Sequence, residues 1–144
     1  MGRYVTTGEP TVVVVGAGYE GKRRCYERLA AIGARMVIVD EPGHWSESLV
    51  DEFAGTKWIA APITGDPDVD AEAILDALER SAVRADGVLT FWEDSVCEAA
   101  RVAAALGLPA TRRRRSTRRA ARSAPGSYPR GSGCPPRQPS GSAP

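Results

Sequence analysis

Residues 110–144 of this 144-residue chain contain no Asp or Glu, no Lys, and no Leu, Ile, Val, Met, Phe or Trp. A segment made mainly of Arg, Ser, Pro, Gly and Ala cannot bury enough apolar surface to offset its ordering entropy, so it is expected to be disordered. Cysteine is scarce as well. Cys25, Cys97 and Cys134 are far apart and odd in number, and no C-x-x-C pair occurs. That speaks against a zinc site or a disulfide framework. Cys25 and Cys97 fall at apolar helix positions and are expected as buried thiols. No apolar run approaches the roughly 18 residues of a membrane span. The first apolar run ends in glycines and charges rather than in a cleavage site, so no signal peptide is read. A cytoplasmic location, with no membrane partner, follows by default.

The formal net charge of +1 conceals two opposite halves. All 18 acids lie in residues 1–109, with 10 of the 19 Lys and Arg, which leaves that part at −8. The other 9 cations are arginines of the tail. The organisation expected is a polar leader over residues 1–10, one foldable unit over 11–109 and the tail over 110–144. A unit of that size supports a modest core, near the lower limit for a self-sufficient α/β domain.

What is present begins at residues 12–22, VVVVGAGYEGK. Consecutive valines read as a strand buried on both faces, the kind found in parallel sheets. Gly16, Gly18 and Gly21 follow in G-x-G-x-x-G spacing, and a helical pattern follows them. In this context the first glycine serves a tight turn, the second a close approach, and the third the packing of helix on strand. Free N–H groups at the helix start favour an anion. A βα corner without a ligand accounts for the motif equally well.

The apolar pattern then alternates between strands and helices. Strands are expected at 11–15, 36–39, 57–60 and 88–91. Helices are expected at 19–32, 49–53, 69–82 and 96–106. Cys25, Leu29 and Ile32 form the buried stripe of the first helix, with Gly33 as its stop. Lys22, Arg23 and Arg24 read as a solvated basic face, or as a group that meets a phosphate or an acidic neighbouring domain. Asp40, at the end of the second strand, has tolerable spacing for an acid that holds a ribose hydroxyl. Pro42-Gly43 marks a turn. His44, the single histidine, reads first as a capping or surface residue. Asp68 or Asp70 is the expected N-cap of the third helix. Ser95 and Glu98 have the spacing of a capping box. Ligands of open α/β sheets gather beyond the carboxyl ends of the strands. The turns at 16–21 and 40–45 and the corner at 92–94 should therefore share one edge.

Three segments carry a resemblance: VVGAGYEGKRR at 14–24, VIVDEPGHW at 37–45, and GVLTFWEDS at 87–95 with the helix ending ALGLP at 105–109. Together they resemble the N-terminal, pre-ATP-grasp domain of ATP-grasp ligases, with most similarity to the carnosine-synthase-like group of amino-acid ligases. The resemblance implies an α/β fold, a Rossmann-like domain with a short parallel sheet of about four strands. It implies an intact enzyme that uses ATP and Mg2+ to join a carboxylate to an amine through an acyl phosphate. The nucleotide and metal ligands of that family lie in later domains, so none is assigned here, and the chain alone is expected to bind neither tightly and to be inactive. For substrate binding we single out Gly16, Gly18, Glu93 and His44. Glu93 offers a carboxylate to an ammonium group, and the glycine turn admits a substrate close to the backbone. No catalytic or metal-binding residue is singled out.

The resemblance stops at Pro109. In the family a segment such as Gly-Asn-Pro-Pro-Glu-Ala-Val-Asp-Ala-Ala-Arg-Ser-Lys follows. One choice of GC-rich codons for that segment and its continuation, read one base later, spells residues 110–127. An out-of-frame translation explains the missing acids, the missing aliphatics and the abrupt stop together. Two other readings stand beside it. One is a small NAD(P)-binding Rossmann module. The other is a nucleic-acid-binding protein whose arginines meet phosphates in a salt-sensitive way, although Tyr128 is the tail's only stacking partner.

Overall fold

The computed structural model of the chain describes residues 8–109. The expectations for the tail and for most of the leader lie outside those residues. Four strands, β1 (Thr11–Val15), β2 (Arg35–Asp40), β3 (Lys57–Ala60) and β4 (Gly87–Leu89), form one parallel sheet in the order β3-β2-β1-β4. Four α-helices accompany them: α1 (Arg23–Ala31), α2 (Leu49–Glu52), α3 (Pro67–Arg80) and α4 (Val96–Ala105). This is the α/β architecture expected. The two central strands pair in the register Val12↔Met36 to Val15↔Val39.

Strand residues alternate between the two faces of a sheet. Val13, Val15, Val37 and Val39 pack under α3 and α4, with Ile74, Leu78 and Val102. Val14, Met36 and Ile38 pack under α1 and α2, with Tyr26, Leu29 and Leu49. Both central strands are thus covered on both sides, which is why their sequences are continuous apolar runs.

Helix ends differ from expectation in instructive ways. The first helix starts as a 3-10 turn, Glu20–Lys22, and becomes α-helical at Arg23. Its buried stripe is Tyr26 and Leu29, while Cys25 is half-buried and Ile32 is 77% exposed. Tyr26 takes the core-facing position because its hydroxyl finds a backbone acceptor there. Cys97 is half-buried too. The N-cap of α3 is Asp66, which accepts from the N–H groups of Asp68 (3.0 Å) and Val69 (3.3 Å), with Pro67 as the first helical residue. Asp68 instead pairs with Arg101 across α3 and α4 at 2.7 Å. Asp70 is fully buried and holds the preceding loop, accepting from Thr64 N (2.8 Å), Thr64 Oγ1 (2.6 Å) and Gly65 N (2.9 Å).

No capping box forms at α4. Ser95 makes no side-chain cap bond, because it packs against the Gly16 turn. Glu98 is buried at 2% exposure, and its Oε2 has no hydrogen-bond partner among the described residues. Burial pushes its carboxyl pKa up. Its own backbone N–H opposes that shift, Asp70 adds to it, Arg101 opposes it and Asp94 adds to it. β4 ends at Leu89, so Phe91 lies beyond it.

The C-termini of α1, α3 and α4 share one geometry. Gly33 N and Ala34 N donate to Ala30 O and Leu29 O. Ala82 N and Val83 N donate to Glu79 O and Leu78 O, and Gly107 N and Leu108 N to Ala104 O and Ala103 O. Each is a Schellman motif, which places its C′ residue in the left-handed region. Two of the three have Gly there, while α3 has Ala82 at φ 52°.

Candidate functional site

The turn after β1 is built from residues 16–19. Gly16 and Gly18 have φ of 66° and 70°, conformations that favour glycine. Gly16 N donates to Val39 O at 3.0 Å. Ala17 N donates to Asp40 Oδ2 at 2.7 Å, and Glu41 N to Asp40 Oδ1 at 2.8 Å. The anion at this turn is therefore the protein's own carboxylate, and the acid considered for a ribose is engaged in the fold. On the other side Tyr26 donates its hydroxyl to Ala17 O (3.1 Å) and Trp45 its indole N–H to Gly18 O (2.7 Å). Thr90 Oγ1 lies 3.3 Å from Gly16 O and accepts from Trp92 N at 2.9 Å. Residues from β2, α1, the turn after β2 and the end of β4 thus hold one turn. Burial drives the Tyr26 hydroxyl pKa far up, with Asp40 and then Cys25 adding to it, so it remains a donor.

Each glycine makes room for a side chain. A Cβ on Gly16 would overlap Ser95 Oγ. A Cβ on Gly18 would lie 2.8 Å from Trp92 Cε3. A Cβ on Gly21 would overlap the Tyr19 ring, so the third glycine serves Tyr19 and not helix–strand packing. Tyr19 and Trp92 meet edge to face, with centroids 5.9 Å apart. The place over Gly18 that a pyrophosphate would need is taken by an indole.

Pro42-Gly43 forms the expected turn, with His44 N donating to Glu41 O at 3.3 Å and Gly43 at φ 81°. This is a type II turn, which requires a positive φ at its third residue. His44 then caps the 3-10 turn Trp45–Ser48. Its Nδ1 lies 2.9 Å from Ser46 Oγ and 3.4 Å from Asp40 Oδ2. Ser46 is fully buried and also accepts the Trp58 indole N–H at 3.2 Å. Nδ1 therefore faces inward, and Nε2 lies on the other side of the ring.

These segments enclose a cleft of about 520 Å3 at the carboxyl ends of β1, β2 and β4, lined among others by Gly16, Gly18, His44, Trp45, Trp92 and Ser95. Of the residues singled out in the sequence, Gly16, Gly18 and His44 line it. Glu93 is exposed and does not; its neighbour Trp92 turns in instead. Tyr19, Trp45 and Trp92 line it from the three segments expected at this edge, and Ile63 and Ser95 line it from outside them. The signal for Trp92 was the aromatic pair Phe91-Trp92, which helix capping does not explain. The basic group at the helix start does not reach the cleft. Lys22 lies over the Tyr19 ring at 5.5 Å, and Arg23 pairs with Glu52 and Glu20. A larger cavity of about 590 Å3 sits at the opposite edge, lined by the first residues of β1, β2 and β3 with Glu9 and Arg84. It has neither the glycine turn nor the strand ends where such sheets bind ligands.

These three strand-end segments are the ones that carried the family resemblance. The family model for the ATP-grasp N-terminal domain matches residues 26–110. The chain belongs to this family. Carnosine synthase 1 of Gallus gallus is 29% identical over 99 residues, which is 68% of this chain and 10% of that protein. The 2-succinyl-5-enolpyruvyl-6-hydroxy-3-cyclohexene-1-carboxylate synthase of Halobacterium salinarum is 42% identical over 70 residues, 49% of this chain and 10% of that protein. The matched stretch thus spans about a tenth of these curated relatives. Their names state different activities, so likeness over such a stretch carries no single activity. Among the described residues no group of three or more His, Cys, Asp or Glu could hold a metal ion, and the Trp92 ring packs over Gly18. No helix among them is long and apolar enough to cross a membrane.

Proposed function

We propose that this chain is the N-terminal domain of an ATP-dependent carboxylate–amine ligase and contributes one wall of the substrate cleft. The observation that carries the reading is the cleft itself. It lies at the carboxyl ends of β1, β2 and β4 and is built from residues 16–20, 40–45 and 92–95, in a chain of the ATP-grasp N-terminal family. In the intact ligases a carboxylate takes a phosphoryl group from ATP, and an amine attacks the acyl phosphate to give an amide, ADP and phosphate. ATP and Mg2+ belong to the other domains, the partners are amino acids or other carboxylates and amines, and the reaction is cytoplasmic. By itself the chain is inactive. The test is phosphate release by the purified chain with ATP, Mg2+ and mixed amino acids. No turnover above the buffer rate is expected, and sustained turnover would refute the proposal.

The readings of the tail rest on sequence. Out-of-frame translation requires that the neighbouring frame of the gene encode an ATP-grasp continuation after Pro109. If it does not, the arginine-rich arm gains, and deletion of residues 110–144 must then abolish salt-sensitive nucleic-acid binding. The dinucleotide module is disfavoured by Trp92 over Gly18 and by the engagement of Asp40 with Ala17. Saturable quenching of tryptophan fluorescence by NADH would restore it.

A further inference from the structure

We infer that the cavity at the amino ends of the strands binds a multivalent anion, a ligand carrying two or more phosphate or carboxylate groups. The inference stands apart from the cleft at the opposite edge and does not depend on it.

The strands place the cations. Val13, Val37 and Ile59 belong to the side of the sheet packed against α3 and α4, and residues two apart along a strand share a face. Thr11, Arg35 and Lys57 therefore lie on that same side, in the register Thr11↔Arg35 and Val37↔Lys57. At the first residues of β2 and β3 this otherwise apolar face ends in two exposed cations. The loop after α3 adds a third, so that Arg35, Lys57 and Arg84 line one cavity of about 590 Å3. That size suits a small-molecule ligand.

The rest of the domain has the opposite charge. Residues 8–109 hold 9 Lys and Arg against 18 Asp and Glu, a net −9. A third of those cations line this cavity, and Glu9 is the one acid among its lining residues. Glu9 meets Arg35 Nε at 3.1 Å, with both side chains more than half exposed. An exposed pair of this kind is weak, and the guanidinium keeps its other N–H donors. Lys57 and Arg84 have no ion pair or side-chain hydrogen bond among the described residues. The end of α3 does not account for them. Its last turn has its own cation, Arg80, and the carbonyls of Ala77, Leu78 and Glu79 already accept from Ser81 N, Val83 N and Ala82 N. The backbone N–H groups of Ala54, Gly55 and Arg84, also lining residues, have no acceptor among the described residues. Like charges gathered round a concavity repel one another. A multivalent anion removes that repulsion and gains several charge-assisted hydrogen bonds. Two free cations and the spare donors of a third match two or more negative groups rather than one.

The test is a titration of the full chain, labelled with 15N, with tripolyphosphate and with citrate at one ionic strength. Saturable shifts of the Gly55 and Arg84 amide resonances are expected with at least one of them, and the tighter of the two tells phosphate from carboxylate. Lys57→Gln and Arg84→Gln, both at exposed side chains, should each weaken binding read at Gly55 by roughly fivefold or more. Arg80→Gln removes the same charge from an exposed residue outside the cavity and should change binding by less than about twofold. If neither anion gives saturable shifts at these amides, or if shifts are confined to residues 110–144, the inference fails. Arg80→Gln equal in effect to Lys57→Gln would reveal diffuse attraction to net charge and would overturn it as well. The indole resonances of Trp45 and Trp92 report on the cleft separately and should stay in place. Their movement without that of Gly55 would put the anion at the cleft, against the inference.

Discussion

The two faces of the sheet are packed from different materials. Under α3 and α4 the buried cluster is aliphatic, made of Val, Ala, Ile and Leu with no aromatic ring. Under α1 and α2 it includes Tyr26, and Trp45, Trp58, Phe53 and Phe91 pack against it. The difference lies in what the side chains do besides packing. Tyr26, Trp45 and Trp58 each bury a ring and send out one polar hydrogen, to Ala17 O, Gly18 O and Ser46 Oγ. Aromatic residues with a polar end fill volume and fix a neighbouring loop at once. The aliphatic face has no such side chains, and its polar groups, Asp70 and Glu98, are buried carboxyls. One face therefore mainly sets stability, and the other sets stability and the shape of the cleft.

Three substitutions test that division. Ile74→Ala, in the aliphatic face, should cost about 2–5 kcal/mol in urea unfolding. Below the transition it should leave the indole resonances of Trp45 and Trp92 in place. If those signals move in the folded variant, the two faces are not separable. Asp40→Ala removes the acceptor for Ala17 N and Glu41 N and should cost about 2 kcal/mol while shifting both indoles. Tyr26→Phe keeps the ring and deletes one hydrogen bond. About 1 kcal/mol is expected, with Trp45 and Trp92 perturbed more than any residue under α3.

Helix ends sharpen the comparison further. Ala82→Gly should stabilise by about 0.5–1 kcal/mol, since the left-handed conformation strains Ala and not Gly. Gly33→Ala, at the matching end of α1, should destabilise by a similar amount. Last, Glu98→Gln should match the parent in acid and gain on it as pH rises. Glu98 holds its proton more tightly folded than unfolded. The parent is therefore favoured below the ordinary carboxylate range and loses that stability as pH climbs through the raised folded value. Urea midpoints across pH 4–8 check this, and a constant offset between the two proteins would contradict it.

Particular residues explain what could be read in advance. The bounds of β1 and β3 were read directly, because a parallel strand is a local apolar run with sharp polar or glycine limits. The end of α3 was not, since Ala82 carries no glycine signal and only the hydrogen bonds of Ser81 to Val83 stop the helix. Ser95-x-x-Glu98 has the spacing of a capping box, yet its serine is pressed against Gly16 and its glutamate is drawn inward. Local spacing there lost to packing between elements distant in sequence. Glu93 and Trp92 are adjacent, and nothing local decides which of them enters the cleft.

The sequence by itself determined the order of strands and helices, the parallel sheet and the family, because apolar period, glycine turns and short motifs are local properties. Tertiary structure decided what the glycines are for. Gly16, Gly18 and Gly21 accommodate Ser95, Trp92 and Tyr19, and Asp40 rather than a ligand supplies the anion at their turn. The contacts of Gly16, Gly18 and Asp40 join residues from separate strand ends, and only the assembled sheet brings them within reach of one another.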